Sequence, residues 1–181
     1  MNIEQLNIED VFILESDKLT DSRGWFQESY NLNKFLKLGI EPKFVQDNLV
    51  YSKGNVLRGL HFQKNNSQGK LVSCIKGKIF DVAVDLRKNS KTFGKHFKTI
   101  LSDKNETSIY IPQGFAHGFA TLDKENIVVY SCSNYRNKKS ERGIIWNDKK
   151  LNIKWPILKP IISKKDLNNL TFDEMKKINF K

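Results

Sequence analysis

Cysteine is scarce in this chain: Cys74 and Cys132 are the only two among 181 residues. Each sits among β-branched neighbours in a strand-like stretch, where a free thiol behaves as a small hydrophobe. A bridging or catalytic role for either thiol is therefore the weaker reading. Proline is also rare, with four residues, and no apolar run approaches the roughly 20 residues that a membrane helix requires. The opening Met1-Asn2-Ile3-Glu4-Gln5 has no basic stretch leading into an apolar one, so no secretion signal is read and the chain is expected in the cytoplasm. There is no internal repeat and no low-complexity tract.

What is present fits one globular domain spanning residues 1–181, large enough to bury a core without crosslinks or a structural metal. The hydrophobic content of 39% and aromatic content of 11% are ordinary for such a domain. The net charge of +11 raises the question of nucleic acid. The lysines, however, are spread along the chain rather than gathered into a stripe, and a small anionic substrate accounts for a basic cleft equally well. Neither nucleic acid nor membrane is expected as a partner.

Short segments rich in Val, Ile, Phe and Tyr recur at 10–15, 24–30, 44–52, 56–63, 70–75, 78–87, 95–102, 107–111, 115–122 and 127–133, separated by turn signals such as Lys53-Gly54-Asn55 and Lys76-Gly77. This spacing predicts an antiparallel sandwich or barrel. Alternation is clearest over 78–87, where Phe80, Val82, Val84 and Leu86 share one face and Asp81, Ala83, Asp85 and Arg87 the other. The first face is expected to be core and the second wet or functional. Helix is predicted at 31–38, stopped by Gly39, and after the capping box that starts at Thr171. The poorly periodic stretch 136–170, between the last strand and the C-terminal helix, is expected to pack on the barrel or cover a site. The chain thus divides into N-terminal strands and helix (1–50), a barrel core (51–135) and a C-terminal covering segment (136–181).

Three histidines are available. His61 and His117 lie in aromatic, glycine-containing strand segments and are either core residues or pocket residues, whereas His96 is expected to be exposed. Pro112-x-Gly114-x-x-His117 resembles the second cupin motif, which raises a metal hypothesis. The ligand count fails: Gln63 stands where a second histidine is wanted after His61, and no glutamate follows at the expected distance. Two histidines make a poor divalent-cation site. The remaining acids, bases and cations suit proton abstraction next to a carbonyl.

Six strings carry a more specific likeness: Asp21-Ser22-Arg23-Gly24-Trp25-Phe26-Gln27-Glu28-Ser29, Phe44-Val45-Gln46-Asp47-Asn48, Val56-Leu57-Arg58-Gly59-Leu60-His61, Gln68-Gly69-Lys70-Leu71-Val72, Phe80-Asp81-Val82-Ala83-Val84-Asp85-Leu86-Arg87 and Ile111-Pro112-Gln113-Gly114-Phe115-Ala116-His117-Gly118-Phe119. In order and spacing, together with Trp146-Asn147-Asp148 and Ile153-Lys154-Trp155-Pro156, they resemble the dTDP-4-dehydrorhamnose 3,5-epimerase family over nearly the whole chain.

The resemblance implies an all-β fold, a cupin-type antiparallel β-barrel (jelly roll) with a few short, mainly C-terminal helices. It also implies a homodimer in which an N-terminal strand joins the partner's sheet. The implied reaction inverts carbons 3 and 5 of dTDP-4-dehydro-6-deoxy-D-glucose through an enolate, with no cofactor and no metal. His61 then resembles the general base, Asp166 its orienting carboxylate, Tyr130 the acid on the opposite sugar face, and Lys70 the cation for the enolate oxygen. Arg23 and Lys165 resemble diphosphate contacts; Arg58 and His117, pocket-wall residues; and Phe26, Glu28, Gln46 and Asn48, holders of nucleotide and sugar. Tyr135 and Arg136 stand where the family usually carries two aromatics, so Arg136 would stack on the base through its guanidinium or mark a different base.

From the residues alone, blander roles stay open: Asp166 as a cap on a short turn, Tyr130 as a core tyrosine and Lys70 as a solvated strand end. A one-centre epimerase of a related nucleotide-linked 4-keto-deoxysugar and a non-catalytic sugar-nucleotide-binding cupin are the alternatives in function. One conflict makes a structural prediction. Arg58 and His61 are three apart and would point to opposite faces of a regular strand, so an irregularity at Gly59 is expected.

Overall fold

The computed structural model describes residues 2–5, 8, 10–37 and 39–178. The strands are β1 (Asn2–Gln5), β2 (Phe12–Glu15), β3 (Lys18–Asp21), β4 (Gly24–Gln27), β5 (Gln46–Lys53), β6 (Leu57–Gln63), β7 (Lys70–Lys76), β8 (Lys78–Asp85), β9 (His96–Ser102), β10 (Thr107–Ile111), β11 (Phe115–Thr121), β12 (Glu125–Cys132) and β13 (Glu141–Gly143). Three short helices complete the described chain: α1 (Leu32–Leu36), α2 (Lys164–Leu167) and α3 (Phe172–Lys176). The strands form a six-stranded sheet in the order β1-β2-β10-β7-β12-β5, a five-stranded sheet in the order β13-β6-β11-β8-β9, and the isolated hairpin β3-β4. Every pairing between named strands is antiparallel. This is the antiparallel two-sheet architecture expected from the segment pattern and the jelly roll implied by the family resemblance.

Alternation explains how the two large sheets close on each other. One face of the six-stranded sheet contributes Val72, Cys74, Ile109, Ile111 and Val128, and one face of the five-stranded sheet contributes Ile79, Ala83, Leu101, Phe115 and Phe119, all in one buried cluster. The opposite faces are covered in part as well. The outer face of the five-stranded sheet buries Leu60, Phe62, Val82, Val84 and Leu86 beneath Ile144, Leu151, Ile153, Phe172 and Met175 of the C-terminal segment. The outer face of the six-stranded sheet places Phe12, Leu14, Leu71 and Tyr110 against Phe35 of α1.

This layering bears out the core face of 78–87 and corrects the other, which is not wet. Phe80, Val82, Val84 and Leu86 share a face covered by the C-terminal segment, while Asp81, Ala83 and Asp85 point into the barrel and are fully buried. Asp85 is satisfied there by Arg87, Ser90 and Thr92. Residues 136–170 contain β13 and α2, and they both pack on the barrel and reach the cavity described below. Strands β1 and β3 were not legible in the sequence, and the expected strand 24–30 ends at Gln27. The predicted helix at 31–38 is observed as α1, capped by Asn31, with Leu38 outside the described residues. His96 is half-buried rather than exposed. The capping box at Thr171 forms as predicted, and both cysteines are buried and free.

Gly77 joins β7 to β8 with a φ of +80°, and a Cβ there would press on the Glu125 carbonyl and the Asn126 side chain. Gly54 has a similar φ of +78° but open space around it. Substituting Gly77→Ala is therefore expected to destabilise by roughly 2–4 kcal/mol, from backbone strain plus overpacking. Gly54→Ala should cost only the strain component, and urea denaturation of the two variants checks the order.

Candidate active site

At one end of the barrel the inward positions change from apolar to polar. Alternation along β5 turns Gln46 and Asn48 inward while Asp47 and Leu49 stay outside. Register then places Tyr130 of β12 opposite Asn48 of β5 and Val72 of β7, and Cys132 opposite Gln46 and Lys70. On the facing sheet, His61 of β6 pairs with His117 of β11. Asn48, Arg58, His61, Lys70, His117 and Tyr130 thereby line one cavity of about 570 Å³. Gln46 lines a smaller adjoining space of about 70 Å³ with Asn48, His61, Lys70 and Tyr130.

Arg58 and His61 reach the same cavity because β6 is irregular where the spacing required it. His117 opposes His61 and Phe119 opposes Arg58, so three steps on β6 match two on β11. Gly59 occupies the irregularity with a φ of +120°, and a Cβ there would meet the Gly118 backbone at 2.5 Å. The Arg58 guanidinium is oriented by Ser52 Oγ at 3.0 Å and the Tyr51 carbonyl at 3.2 Å.

His61 Nε2 lies 2.6 Å from Asp166 Oδ1. Asp166 is delivered by α2, whose N-cap Ser163 accepts from the Asp166 amide. The bland reading of Asp166 is thus corrected: the cap is Ser163, which frees the Asp166 carboxylate for His61. Burial pushes the Asp166 carboxyl up, but the hydrogen bond and charge of His61 and the Gly59 amide outweigh it and hold the group below the ordinary aspartate value. An ionised carboxylate only accepts hydrogen bonds, so His61 Nε2 donates and its lone pair resides on Nδ1.

A second pair lies deeper, with His117 Nε2 2.8 Å from Asp81 Oδ2. Burial pushes the His117 imidazole down, and Asp81 offsets only part of this. The other Asp81 oxygen is buried without a hydrogen-bond partner. Lys70 is buried and makes no side-chain hydrogen bond or ion pair among the described residues, and burial lowers its pKa. Its Nζ is 5.9 Å from the centre of the Tyr130 ring, whose hydroxyl is pushed up by burial. His61 belongs to the five-stranded sheet and Tyr130 to the six-stranded sheet, so an imidazole and a phenol face the cavity from opposite walls. Lys70 stands beside Tyr130 at the wall facing His61.

The remaining expected site residues divide into two groups. Lys165 and Arg136 border the cavity, where both contact the Glu141 carboxylate. Tyr135 is exposed in an adjoining groove, and its carbonyl accepts from Gln63. Arg23, Phe26 and Glu28 are not brought to this cavity within one chain. Arg23 binds Asp21 at the hairpin turn, Phe26 is exposed on β4, and Glu28 binds Asn31 and Lys34. Sequence reasoning missed Asp81 and Glu141 as site residues. Asp81 had been seen only as a member of a polar face, and Glu141 lies in a stretch with no periodicity to place it. Among the described residues no group of three or more His, Cys, Asp or Glu is arranged to hold a metal ion.

Comparison with known proteins gives a consistent result. A family model described as dTDP-4-dehydrorhamnose 3,5-epimerase matches residues 5–174. The chain is 48% identical over 174 residues to the dTDP-4-dehydrorhamnose 3,5-epimerase of Shigella flexneri, covering 95% of this chain and 96% of that one. It is similar to the crystal structure of the Elizabethkingia anophelis dTDP-4-dehydrorhamnose 3,5-epimerase, with a TM-score of 0.92 and 45% identity over 96% and 97% of the two chains. It also matches the Legionella pneumophila dTDP-6-deoxy-D-glucose-3,5-epimerase in complex with dTDP-4-keto-L-rhamnose, with a TM-score of 0.92 and 40% identity over 96% of each chain.

The pH dependence of stability follows from Asp166. Its carboxyl titrates lower in the folded protein than in the unfolded chain, so between those two values the unfolded chain binds more protons and stability falls as pH drops. The contribution is complete above the ordinary value of 3.8 and is lost on acidification through the depressed one. Asp166→Asn should flatten this part of the acid slope, as read by urea denaturation across a pH series.

Proposed function

The chain belongs to the dTDP-4-dehydrorhamnose 3,5-epimerase family, and on that footing we propose that it converts dTDP-4-dehydro-6-deoxy-D-glucose to dTDP-4-dehydro-L-rhamnose. The 4-keto group acidifies the C–H bonds at carbons 3 and 5. In this reading His61 Nδ1 takes a proton from one of these carbons, and the resulting imidazolium is stabilised by Asp166 at 2.6 Å. The negative charge moves to the keto oxygen, where the Lys70 ammonium stabilises the enolate. Tyr130 returns a proton to the same carbon from the other face, so the centre inverts with no net change in atoms. Solvent takes the proton from the His61 imidazolium and returns one to the Tyr130 phenolate, and repeating the sequence at the second carbon completes the conversion.

The observation that carries this assignment is the pair of opposite walls: a carboxylate-oriented imidazole on one sheet and a partly buried tyrosine with a neighbouring lysine on the other. Proton transfer and charge stabilisation are all the reaction requires, so no added cofactor enters the proposal. Gln46, Asn48, Arg58 and His117 are assigned to the sugar and nucleotide by their place in the cavity wall. We assign 51–135 as the barrel core and 136–181 as the segment that covers it. Two free buried thiols suit the reducing cytoplasm proposed as its location.

We further propose a homodimer with exchanged N-terminal strands. Among the described residues hairpin β3-β4 pairs with no other strand, and it exposes Leu19, Trp25 and Phe26. Strand β5 is an unpaired sheet edge on which Leu49 is 71% exposed. Docking this hairpin on a partner would cover both apolar surfaces and carry Arg23, Phe26 and Glu28 to the neighbouring cavity. Leu49→Asp should therefore shift the protein toward monomer in light scattering and lower turnover.

Incubation with the 4-keto sugar nucleotide in heavy water, followed by NMR, tests the reaction. Deuterium should enter at carbons 3 and 5, and His61→Asn should cut entry by about 10³-fold or more while the fold is retained. Deuterium at carbon 3 alone would select a one-centre epimerase, and unaltered exchange in the variant would remove His61 as the base.

A further inference from the structure

Glu141 is absent from the proton-transfer scheme, yet it joins two cations at the rim of the cavity. It lies on β13 opposite Gln63 of β6, in the ladder that also pairs Gly143 with His61. Its Oε2 lies 3.0 Å from Arg136 Nη2 and 3.1 Å from Lys165 Nζ. Two cations on one oxygen are at most about 6 Å apart, twice an ordinary hydrogen-bond length of about 3 Å. Arg136 belongs to the segment after β12 and Lys165 to α2, so Glu141 is the group that brings these separate parts of the chain together.

Exposure separates this arrangement from an ordinary surface ion pair. The Glu141 side chain is 16% exposed, while Arg136 and Lys165 remain 51% and 54% exposed. The anion is therefore on the inner side, and both cations keep donors facing the solvent, since a guanidinium has five N–H groups and an ammonium three. Burial pushes the Glu141 carboxyl up, but its hydrogen bonds to Arg136 and Lys165 outweigh this and keep it below the usual range. A fork-shaped guanidinium beside a point-charge ammonium suits the several oxygens of a diphosphate.

We propose that Glu141 is a positioning residue that gathers Arg136 and Lys165 into a paired clamp for the diphosphate of the sugar nucleotide. This gives Arg136 a phosphate contact in place of base stacking, and only the identity of the ligand rests on the epimerase reading. Lys165 immediately precedes Asp166, so the clamp holds the same one-turn helix that orients His61.

Sign makes the idea testable. Simple removal of a negative charge beside an anion site should tighten anion binding, whereas loss of a positioning group should weaken it. Calorimetric titration of the full chain with dTDP, inorganic pyrophosphate and thymidine is the measurement. Glu141→Ala should raise the Kd for dTDP and pyrophosphate about tenfold or more and leave thymidine unchanged, while Glu141→Gln, which keeps an acceptor oxygen, should restore binding to within about threefold. In a chain already carrying Arg136→Ala and Lys165→Ala, Glu141→Ala should have no further effect on pyrophosphate. Equal or tighter diphosphate binding by Glu141→Ala, or a further loss in the triply substituted chain, overturns the clamp. Turnover by the unaltered chain is a separate readout: its absence alongside Glu141-dependent pyrophosphate binding would sink the epimerase reading and leave the clamp standing.

Discussion

A carboxylate from a one-turn helix reaches across to an imidazole on a barrel strand, and the arrangement of the cavity depends on that 2.6 Å contact. Asp166 stays ionised despite burial because His61 and the Gly59 amide favour the charged form. The same ionisation assigns the His61 proton to Nε2 and the lone pair to Nδ1. Both ends of the contact need separate support. On β6 the irregularity at Gly59 turns His61 and Arg58 into one space, and on α2 the Ser163 cap leaves the Asp166 side chain free.

Around this contact the barrel keeps two kinds of interior. Toward one end the inward positions are Ile, Val, Leu and Phe, whose burial supplies much of the driving force for folding. Toward the other they are Lys70, Asp81, His117 and Tyr130, whose burial opposes charge on Lys70, His117 and Tyr130. Chemistry at a carbon acid benefits from such a place, because a fixed ammonium and fixed hydrogen-bond donors act more strongly where water is sparse. The apolar end provides the rigidity that keeps these groups in place.

Much of the strand pattern was legible in the sequence, since β-branched and aromatic residues between turn signals mark segments that suit a pleated sheet. Segment 107–111 coincides with β10, and the capping box at Thr171 opens α3 as expected. What misled was burial on both faces. Asp81 and Asp85 alternate with apolar residues as a wet face would, and nothing local distinguishes a solvent-facing aspartate from one paired inside a barrel. The short strands β1 and β3 carry too few residues to show a period. The recognition of Asp166 depended on a family resemblance, because its local pattern is equally that of a helix cap.

By itself the sequence determined the antiparallel architecture and the need for a bend near Gly59, because each follows from side-chain size, spacing or backbone freedom within a few residues. Only the tertiary structure decided that Asp166 would meet His61 across 105 positions, that Asp81 would pair with His117, and that Glu141 would hold Arg136 and Lys165 together. Those pairings depend on sheet order and on the path of the C-terminal segment, and a charged side chain carries no local mark of the partner that chain closure will bring to it.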